Sequence, residues 1–338
     1  MKIKTIYRNL FILPLVVVAS ALWSSCEKIK DNREDCGVYL EFIYDHNMEY
    51  TDSFDPWIPA VDVYVFDSED KFLFTRRAKR DELIDGKRMF IGNELPPGTY
   101  QILTVGGLTE DFSVKDADGN AFSPYHTTLG EVRIALERTE NTVSHEFSPL
   151  WVSRSITVEN RSDLSVWPVG FVKNTNRFDI VLADADGKAN VPEGNPLFTF
   201  EIVTPEGAVY GHDNAPLTQE EVVYKPYYLA AGTKPEELLV AQINTARLIA
   251  DNGYRFIIRN TQTGNIMWEH DLMGLLKYLK PNIRPDGTEL PMQEFLDRES
   301  FWRLVILYRE TPDETNEGYM AVALQIGPWI VWFNDIDA

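Results

Sequence analysis

The sequence predicts a mainly β protein made of two tandem β-sandwich domains, with short helices in the second domain. Short apolar segments rich in β-branched residues recur at near-regular spacing along most of the 338-residue chain. Pro, Gly and Asp residues separate these segments, and they favour the tight turns that join neighbouring strands. Both halves of the chain share this arrangement, although they show no repeat of residues. Short strands joined by such turns are typical of β-sandwiches.

The first 25 residues have the layout of a secretory signal peptide. Basic residues Lys2, Lys4 and Arg8 precede an apolar run at residues 10–23. That run is shorter than the roughly 20 residues of a membrane-spanning helix. Small side chains stand directly before Cys26, which predicts that cleavage makes Cys26 the first residue of the mature chain and that lipid is attached to it. A plain signal peptide, cut nearby and leaving Cys26 as an ordinary thiol, is the alternative.

The net charge excludes two classes of partner. The formal charge is −20, and the signal segment holds three basic and no acidic residues, so the remaining 313 residues carry −23. A strongly acidic protein repels nucleic acid and anionic lipid head groups. We therefore predict no nucleic-acid partner, and a membrane would have to be held through a covalent lipid. The hydrophobic content of 44% indicates folded domains and not disorder.

The two cysteines, Cys26 and Cys36, do not make a cysteine-framed fold. Cys36 either has no partner within the chain, if Cys26 is lipidated, or closes a short loop with Cys26. Residues 27–35 are charged and lack periodicity. We predict that residues 26–36 form a solvated, lipidated tether between the membrane and the first domain.

Residues 37–160 are predicted to form the first sandwich domain. Val61, Val63 and Val65 alternate with other residues, which places three valines on one face of a strand. A turn at residues 67–70 then returns the chain as the second strand of a hairpin. The predicted strands of this domain cover residues 38–44, 61–66, 71–75, 87–91, 100–105, 131–136, 142–147 and 155–159.

A polar run at residues 160–163 marks the predicted boundary, and residues 161–338 are predicted to form the second domain. The segment at residues 329–333 is apolar on both faces, so it must be covered either within its own sandwich or in the groove of a partner. The predicted strands cover residues 178–182, 197–203, 221–224, 241–248, 254–259, 302–308, 319–326 and 329–333.

Two helices are predicted within the second domain. Leucines at positions 272, 275, 276 and 279 follow the spacing of one helix face, and Pro281 ends that helix. A shorter helix is predicted at residues 292–298.

The sequence shows no motif of a known catalytic or metal site. Its five histidines are scattered, and the nucleophile-elbow, phosphate-loop and dinucleotide-binding patterns are absent. Asp116, Asp118 and the pair Asp184 and Asp186 resemble fragments of a calcium loop, but the bidentate Glu is missing. The same pattern is common in hairpin turns, which we favour. We predict no enzyme, no cofactor, no metal and no small-molecule substrate.

Three surface features have competing interpretations. Glu294 and Glu299 could act as paired glycosidase carboxylates, but on a short helix they favour a solvated face. Trp302, Trp329 and Trp332 could form a sugar-stacking platform, although such aromatic residues more often lie in a core. The basic run at residues 76–80 is interpreted as a solvated loop, with a trypsin-like processing site as the alternative.

Several stretches together resemble the FimB-type fimbrial anchor lipoproteins of Bacteroidales. They occur in the same order as in that family and cover nearly all of the chain after the signal segment. The strongest is the C-terminal group. The stretches lie at residues 36–48, 61–67, 95–100, 106–107, 173–177, 271–276, 293–299 and 326–329.

The resemblance implies two transthyretin-like sandwich domains and no catalytic residue. It implies a surface-exposed lipoprotein of the outer membrane, attached through Cys26 and joined to fimbrial shaft subunits that assemble by strand exchange. We therefore predict a non-enzymatic protein that anchors or caps a fimbria. The alternative is a surface lipoprotein that binds glycans through an aromatic platform.

Overall fold

The computed structural model describes residues 36–187, 196–310, 319–326 and 328–333, and these residues form a mainly β structure. The predicted fold class is confirmed at this level. From Gly37 onward, the described residues belong to one compact unit. No helix in these ranges is long and apolar enough to cross a bilayer.

Residues 36–173 contain short strands, one four-residue helix and three single-turn 3₁₀ helices. Helix α1 is Phe54–Trp57, and the 3₁₀ turns are Arg80–Glu82, Gly92–Glu94 and Leu129–Glu131. The strands are β1 (Gly37–Ile43), β2 (Ala60–Phe66), β3 (Phe72–Lys79), β4 (Arg88–Phe90), β5 (Gly98–Gly106), β6 (Phe112–Lys115), β7 (Arg133–Leu136), β8 (Thr142–Val143), β9 (Trp151–Ser153), β10 (Ile156–Asn160) and β11 (Leu164–Lys173).

The later part contains two further helices and the remaining strands. Helix α2 is Leu272–Lys277 and helix α3 is Met292–Arg298. The strands are β12 (Thr175–Asp184), β13 (Phe198–Thr204), β14 (Val209–Tyr210), β15 (Val222–Tyr224), β16 (Tyr228–Ala231), β17 (Glu237–Ala246), β18 (Arg255–Asn260), β19 (Ile266–Asp271), β20 (Phe301–Glu310), β21 (Tyr319–Ile326) and β22 (Trp329–Trp332).

The largest sheet has the order β3-β2-β5-β9-β11-β1-β4, with β10 paired to β5. Its neighbours β1 and β11 run parallel, with Gly37 opposite Leu164 and Ile43 opposite Gly170. Strand β11 therefore belongs to the first sheet although it follows residue 160. The division into domains at 37–160 and 161–338 stays a prediction.

The later strands form a six-stranded sheet of order β16-β17-β12-β20-β21-β22 and a five-stranded sheet of order β19-β18-β13-β15-β8. A three-stranded sheet combines β14, β7 and β6. Strand β8 pairs with β15 and β7 pairs with β14, so strands from both parts of the chain share sheets. Because these sheets combine strands from both parts of the chain, the part after Gly37 forms a single compact unit.

Strand β2 shows how the sequence pattern builds the core. All seven of its residues are buried. Val61, Val63 and Val65 face one apolar cluster, as their alternation predicts, whereas Tyr64 and Phe66 face a second and larger cluster. The first sheet is thus covered on both faces in this region.

Both predicted helices are present, but the first ends at Lys277, so the predicted member Leu279 lies in the turn that follows it. Asp271 caps α2 by accepting hydrogen bonds from the backbone N–H groups of Met273 and Gly274 at 3.1 and 3.0 Å. The buried residues of α2 include Leu272, Leu275 and Leu276, which carry the predicted apolar face. The second helix, α3, has the predicted bounds of 292–298.

Candidate functional site

Strand β22 is the last strand of the described six-stranded sheet. It pairs antiparallel with β21, with Ala323 opposite Trp332 and Ile326 opposite Trp329. No other strand in the described part of the chain pairs with it. Among the described residues, the outer side of β22 is therefore an edge of this sheet.

Large apolar side chains on this edge face solvent. Trp329 is 74% exposed, Ile330 is 47% exposed and Trp332 is 42% exposed. Met320, on the neighbouring strand β21, is also exposed. We call these four residues the C-terminal edge. Natural edge strands are usually shielded by charged side chains, Pro or bulges, so an apolar edge marks a surface that a partner covers.

Phe333 holds the end of β22 in place. It is buried, and its ring stacks on Trp268 at a centroid distance of 4.5 Å and on His270 at 5.6 Å. The strand therefore completes its own sheet, which was one of the two interpretations of residues 329–333. The exposed residues beside Phe333 remain available for an additional partner.

The C-terminal edge has the features that strand addition needs. Backbone N–H and C=O groups of an edge strand supply affinity, and side chains that alternate between two faces set the register of an added strand. Trp329 and Val331 alternate with Ile330 and Trp332, so both faces present apolar contacts. An added strand that carries apolar residues would bury surface on both sides of the sheet.

The alternative interpretation, a platform of three tryptophans, is not formed, and the favoured core placement holds for Trp302 but is wrong for Trp329 and Trp332. Trp302 is only 1% exposed, and its indole N–H donates to Asn176 Oδ1 at 3.0 Å. Its ring packs against Phe178 and Phe295. Trp302 therefore belongs to the core, while Trp329 and Trp332 lie on the C-terminal edge.

The carboxylates of Glu294 and Glu299 both accept hydrogen bonds from other groups of the protein. Glu294 accepts hydrogen bonds from Arg298 at 2.8 Å and from Arg284, which together lower the pKa of Glu294 to about 2, with the Arg284 bond the larger cause. Glu299 Oε1 accepts from the backbone N–H groups of Ser300 and Phe301, each at 2.9 Å. A general acid needs a raised pKa, so Glu294 is unsuited to that role.

The acidic loops form turns, as favoured from the sequence. Asp116 Oδ1 accepts from the backbone N–H groups of Asp118 and Asn120 at 3.0 and 2.8 Å. Asp184 Oδ1 accepts from the N–H of Asp186 at 2.7 Å. Within residues 36–187, 196–310, 319–326 and 328–333, no group of three or more His, Cys, Asp or Glu side chains is placed to hold a metal ion.

The basic run at residues 76–80 is not a loop. Strand β3 continues to Lys79 and pairs with β2 along this length. Arg76 forms an ion pair with Glu94 at 2.8 Å, and Arg77 donates to the carbonyl of Leu108 at 3.2 Å. Arg76, Arg77 and Lys79 are exposed, as expected, but Ala78 is buried and the backbone is held in a sheet.

Of the two cysteines, the structure describes Cys36 but not Cys26. Cys26, the predicted lipid-attachment residue, lies outside the described residues. Cys36 is exposed and has no disulfide partner among the described residues.

Sequence reasoning missed two exposed aromatic side chains outside the C-terminal edge, Trp57 and Phe301. The available signal for Trp57 was its place between prolines in a segment without strand alternation. Phe301 gave no comparable signal, since it begins an apolar strand.

Comparison with known proteins identifies related families and folds. The model of the family of fimbrillin-A associated anchor proteins Mfa1 and Mfa2 matches residues 33–335. No curated protein matches the chain by sequence at a significant level.

Solved structures of similar fold come from Bacteroidales. A candidate adhesin from Bacteroides ovatus is 38% identical with a TM-score of 0.81, and the match covers 91% of this chain and 98% of that one. A candidate polysaccharide-binding protein from Bacteroides thetaiotaomicron is 23% identical with a TM-score of 0.74, covering 88% and 98%. The fimbrial anchor protein Mfa2 from Porphyromonas gingivalis is 16% identical with a TM-score of 0.65, covering 88% and 98%.

Proposed function

Because this chain belongs to the family of fimbrillin-A associated anchor proteins Mfa1 and Mfa2, we propose that it is a non-enzymatic surface protein that anchors or caps a fimbria at the outer membrane. Its partners in this proposal are fimbrial shaft subunits. Two relatives, a candidate adhesin and a fimbrial anchor protein, support a role in surface attachment.

The C-terminal edge is the observation that carries the proposal. Trp329, Ile330 and Trp332 expose apolar surface on a strand that has no partner on its outer side among the described strands. A shaft subunit that adds a strand to β22 would cover these side chains and pair with the open backbone groups. In this arrangement β22 accepts a strand and is not itself donated.

Membrane attachment in this proposal is through Cys26. The layout of residues 1–26 supports export and lipidation. The strongly acidic chain is not expected to bind anionic lipid through its surface charge. Each buried CH₂ of an acyl chain contributes about 0.8 kcal/mol, so one chain gives marginal anchoring and several give a stable hold. Residues 27–36 then separate the membrane from β1.

The finer architecture is part of the same proposal. The resemblance to fimbrial anchors supports two transthyretin-like sandwiches within the mainly β structure. The first sheet, with its own apolar cluster around Val63 and Phe42, corresponds to one of them. In this proposal the six-stranded and five-stranded sheets belong to the other, and the larger cluster to which they contribute also receives Tyr64 and Phe66 from the first sheet.

The proposal is tested by blocking the C-terminal edge in the bacterium that makes this protein. Epitope-tagged full-length chains carrying Trp329→Glu or Ile330→Glu are expressed in place of the native one. A carboxylate on an edge strand opposes the approach of another strand. We expect normal amounts in the membrane fraction and at least a tenfold loss of co-purified shaft subunit.

Trp57→Glu is the matched control, because Trp57 is also an exposed tryptophan but lies in helix α1. This variant should keep its shaft subunits. Undiminished co-purification with both edge variants, at normal protein levels, would refute the assignment of the C-terminal edge.

A further inference from the structure

A groove with a volume of about 320 Å³ is lined by none of the four residues of the C-terminal edge. One wall comes from the loop after β1 and from helix α1, and the other comes from the segment that links α3 to β20. Residues of β9 and the end of β11 also line it. Its volume is at the lower end of the range of small-ligand sites, roughly 300–1,000 Å³.

Aromatic side chains line both walls and the inner part of this groove. Trp57 is 59% exposed on one wall and Phe301 is 52% exposed on the other. Trp151 is buried and meets the ring of Tyr44 edge-on at a centroid distance of 6.0 Å. The groove thus offers two accessible rings at its walls and a fixed aromatic pair further in.

A partly buried ammonium group lies among these rings. Lys173 Nζ lies 5.8 Å from the centre of the Trp151 ring and donates one hydrogen bond, to Ser300 Oγ at 3.0 Å. Burial lowers the pKa of Lys173, with Glu299 acting in the opposite direction. An ammonium has three N–H donors, so this group has capacity for hydrogen bonds to a ligand.

Acidic and basic side chains balance across the groove. Glu49 and Glu299 face it together with Lys173 and Arg298. Arg298 is fixed by hydrogen bonds to the carbonyls of Asp45 and Asn47 at 3.0 and 3.2 Å. The formal charges of the four side chains cancel, so the site favours neither an anion nor a cation.

We propose that this groove binds a neutral pyranose residue of a glycan chain. The C–H face of a sugar ring is weakly polarised and packs on the negative face of an aromatic ring, which Trp57 and Phe301 provide. Sugar hydroxyls both donate and accept hydrogen bonds. One sugar ring can therefore accept a hydrogen bond from the Lys173 ammonium and donate one to the Glu299 carboxylate. An apolar peptide side chain would leave the N–H groups of Lys173 that do not bond Ser300 without an acceptor in a partly buried place, which is costly.

The site gives the protein a second kind of contact, separate from the C-terminal edge that is assigned to a shaft subunit. A charged sugar is disfavoured because a uronic or sialic acid would place a third carboxylate beside Glu49 and Glu299.

The experiment measures sugar binding to the purified full chain in detergent by saturation-transfer NMR and calorimetry. The neutral probes are the methyl glycosides of glucose, galactose, mannose and N-acetylglucosamine, with maltose, cellobiose and lactose. The acidic probes are galacturonate and N-acetylneuraminate. We expect saturable binding of at least one neutral probe.

Three variants locate the binding site. Trp57→Ala and Phe301→Ala remove exposed rings and should each weaken binding at least tenfold while the melting temperature is unchanged. Lys173→Met should do the same, with melting used to verify folding. Trp329→Ala removes an exposed tryptophan that does not line the groove and should bind as the unmodified protein does.

Three results would overturn the assignment. These are no binding of any neutral probe, binding that Trp57→Ala and Phe301→Ala leave unchanged, and binding of the acidic probes alone.

Discussion

Arg247 and Asp297 form a buried, bidentate ion pair. The guanidinium donates from Nε to Oδ1 at 2.7 Å and from Nη2 to Oδ2 at 2.8 Å, and both side chains are nearly inaccessible. Gln293 adds a third donor to Asp297 at 2.9 Å, and Arg247 Nη1 donates to the carbonyl of Asn214 at 2.6 Å. The pair joins the segment after β17 to helix α3.

Replacing Asp297 by Ala should lower the free energy of unfolding by about 3–5 kcal/mol, because it leaves the Arg247 charge buried without its counter-ion. Chemical denaturation measures this change. The exposed pair of Arg161 and Glu159 provides the control, since Glu159→Ala should leave the midpoint unchanged. An Asp297→Ala variant as stable as the parent would contradict the expectation.

Glu294 should make stability depend on pH in the acid range. Arg284 and then Arg298 hold its folded-state pKa at about 2, below the ordinary value of 4.5. The ionised form is therefore favoured by folding, so its contribution is complete above about pH 4.5 and is lost as the pH falls towards 2. Denaturation of Glu294→Gln and the parent from pH 6 to pH 2 should show a stability difference that shrinks on acidification. If the difference in unfolding free energy between the two proteins did not change with pH, the charge of Glu294 would not contribute to stability.

Replacing Phe333 by Ala should lower the free energy of unfolding much more than replacing Trp329 by Ala. Phe333→Ala removes a buried ring stacked on Trp268 and should cost about 3 kcal/mol of folding free energy. Trp329→Ala removes an exposed ring and should change stability by less than about 0.5 kcal/mol. Thermal and denaturant unfolding of both variants tests this contrast, and equal effects would mean that the end of β22 is not fixed by Phe333.

Cys26 should be acylated in the membrane-bound protein. Mass spectrometry of the N-terminal peptide from the membrane fraction should show a mature chain that begins at Cys26 with lipid on that residue. Cys26→Ala should release the protein from the membrane fraction. A mature N-terminus at another residue, with Cys26 unmodified, would refute this prediction.

The basic run at residues 76–80 should stay uncut in the surface protein. Proteases bind extended, accessible segments, and here β3 is paired with β2 up to Lys79. Cleavage there would also separate the rest of the chain from Cys26. N-terminal sequencing of the assembled protein should find no chain that starts after Arg77 or Arg80, and finding one would mean that the protein is processed after export.

Local patterns predicted much of the fold. The alternation in β2 and the leucine spacing of α2 each mark a buried face, and both faces are buried as expected. Strand β11 was missed because Pro168 interrupts it and lacks a backbone N–H. The short strand β9 has only three residues, too few to show any periodicity.

The candidate site was less predictable because exposure depends on sheet order. Trp302 and Trp329 both lie in apolar segments, yet one is in a core and the other is on an edge. The difference arises because β20 lies inside the six-stranded sheet and β22 ends it. That order results from long-range pairing, which no local window of sequence records.

The parallel pairing of β1 and β11 sets how the fold would bear mechanical force. A pull through residues before Gly37 enters β1, which is held by β11 on one side and by β4 on the other. When the pull follows the strand axis, the pairs from Gly37–Leu164 to Ile43–Gly170 are loaded in shear together and not opened one after another. If force reaches the protein through the residues before Gly37, this pairing would resist unravelling of the sheet from its N-terminal strand.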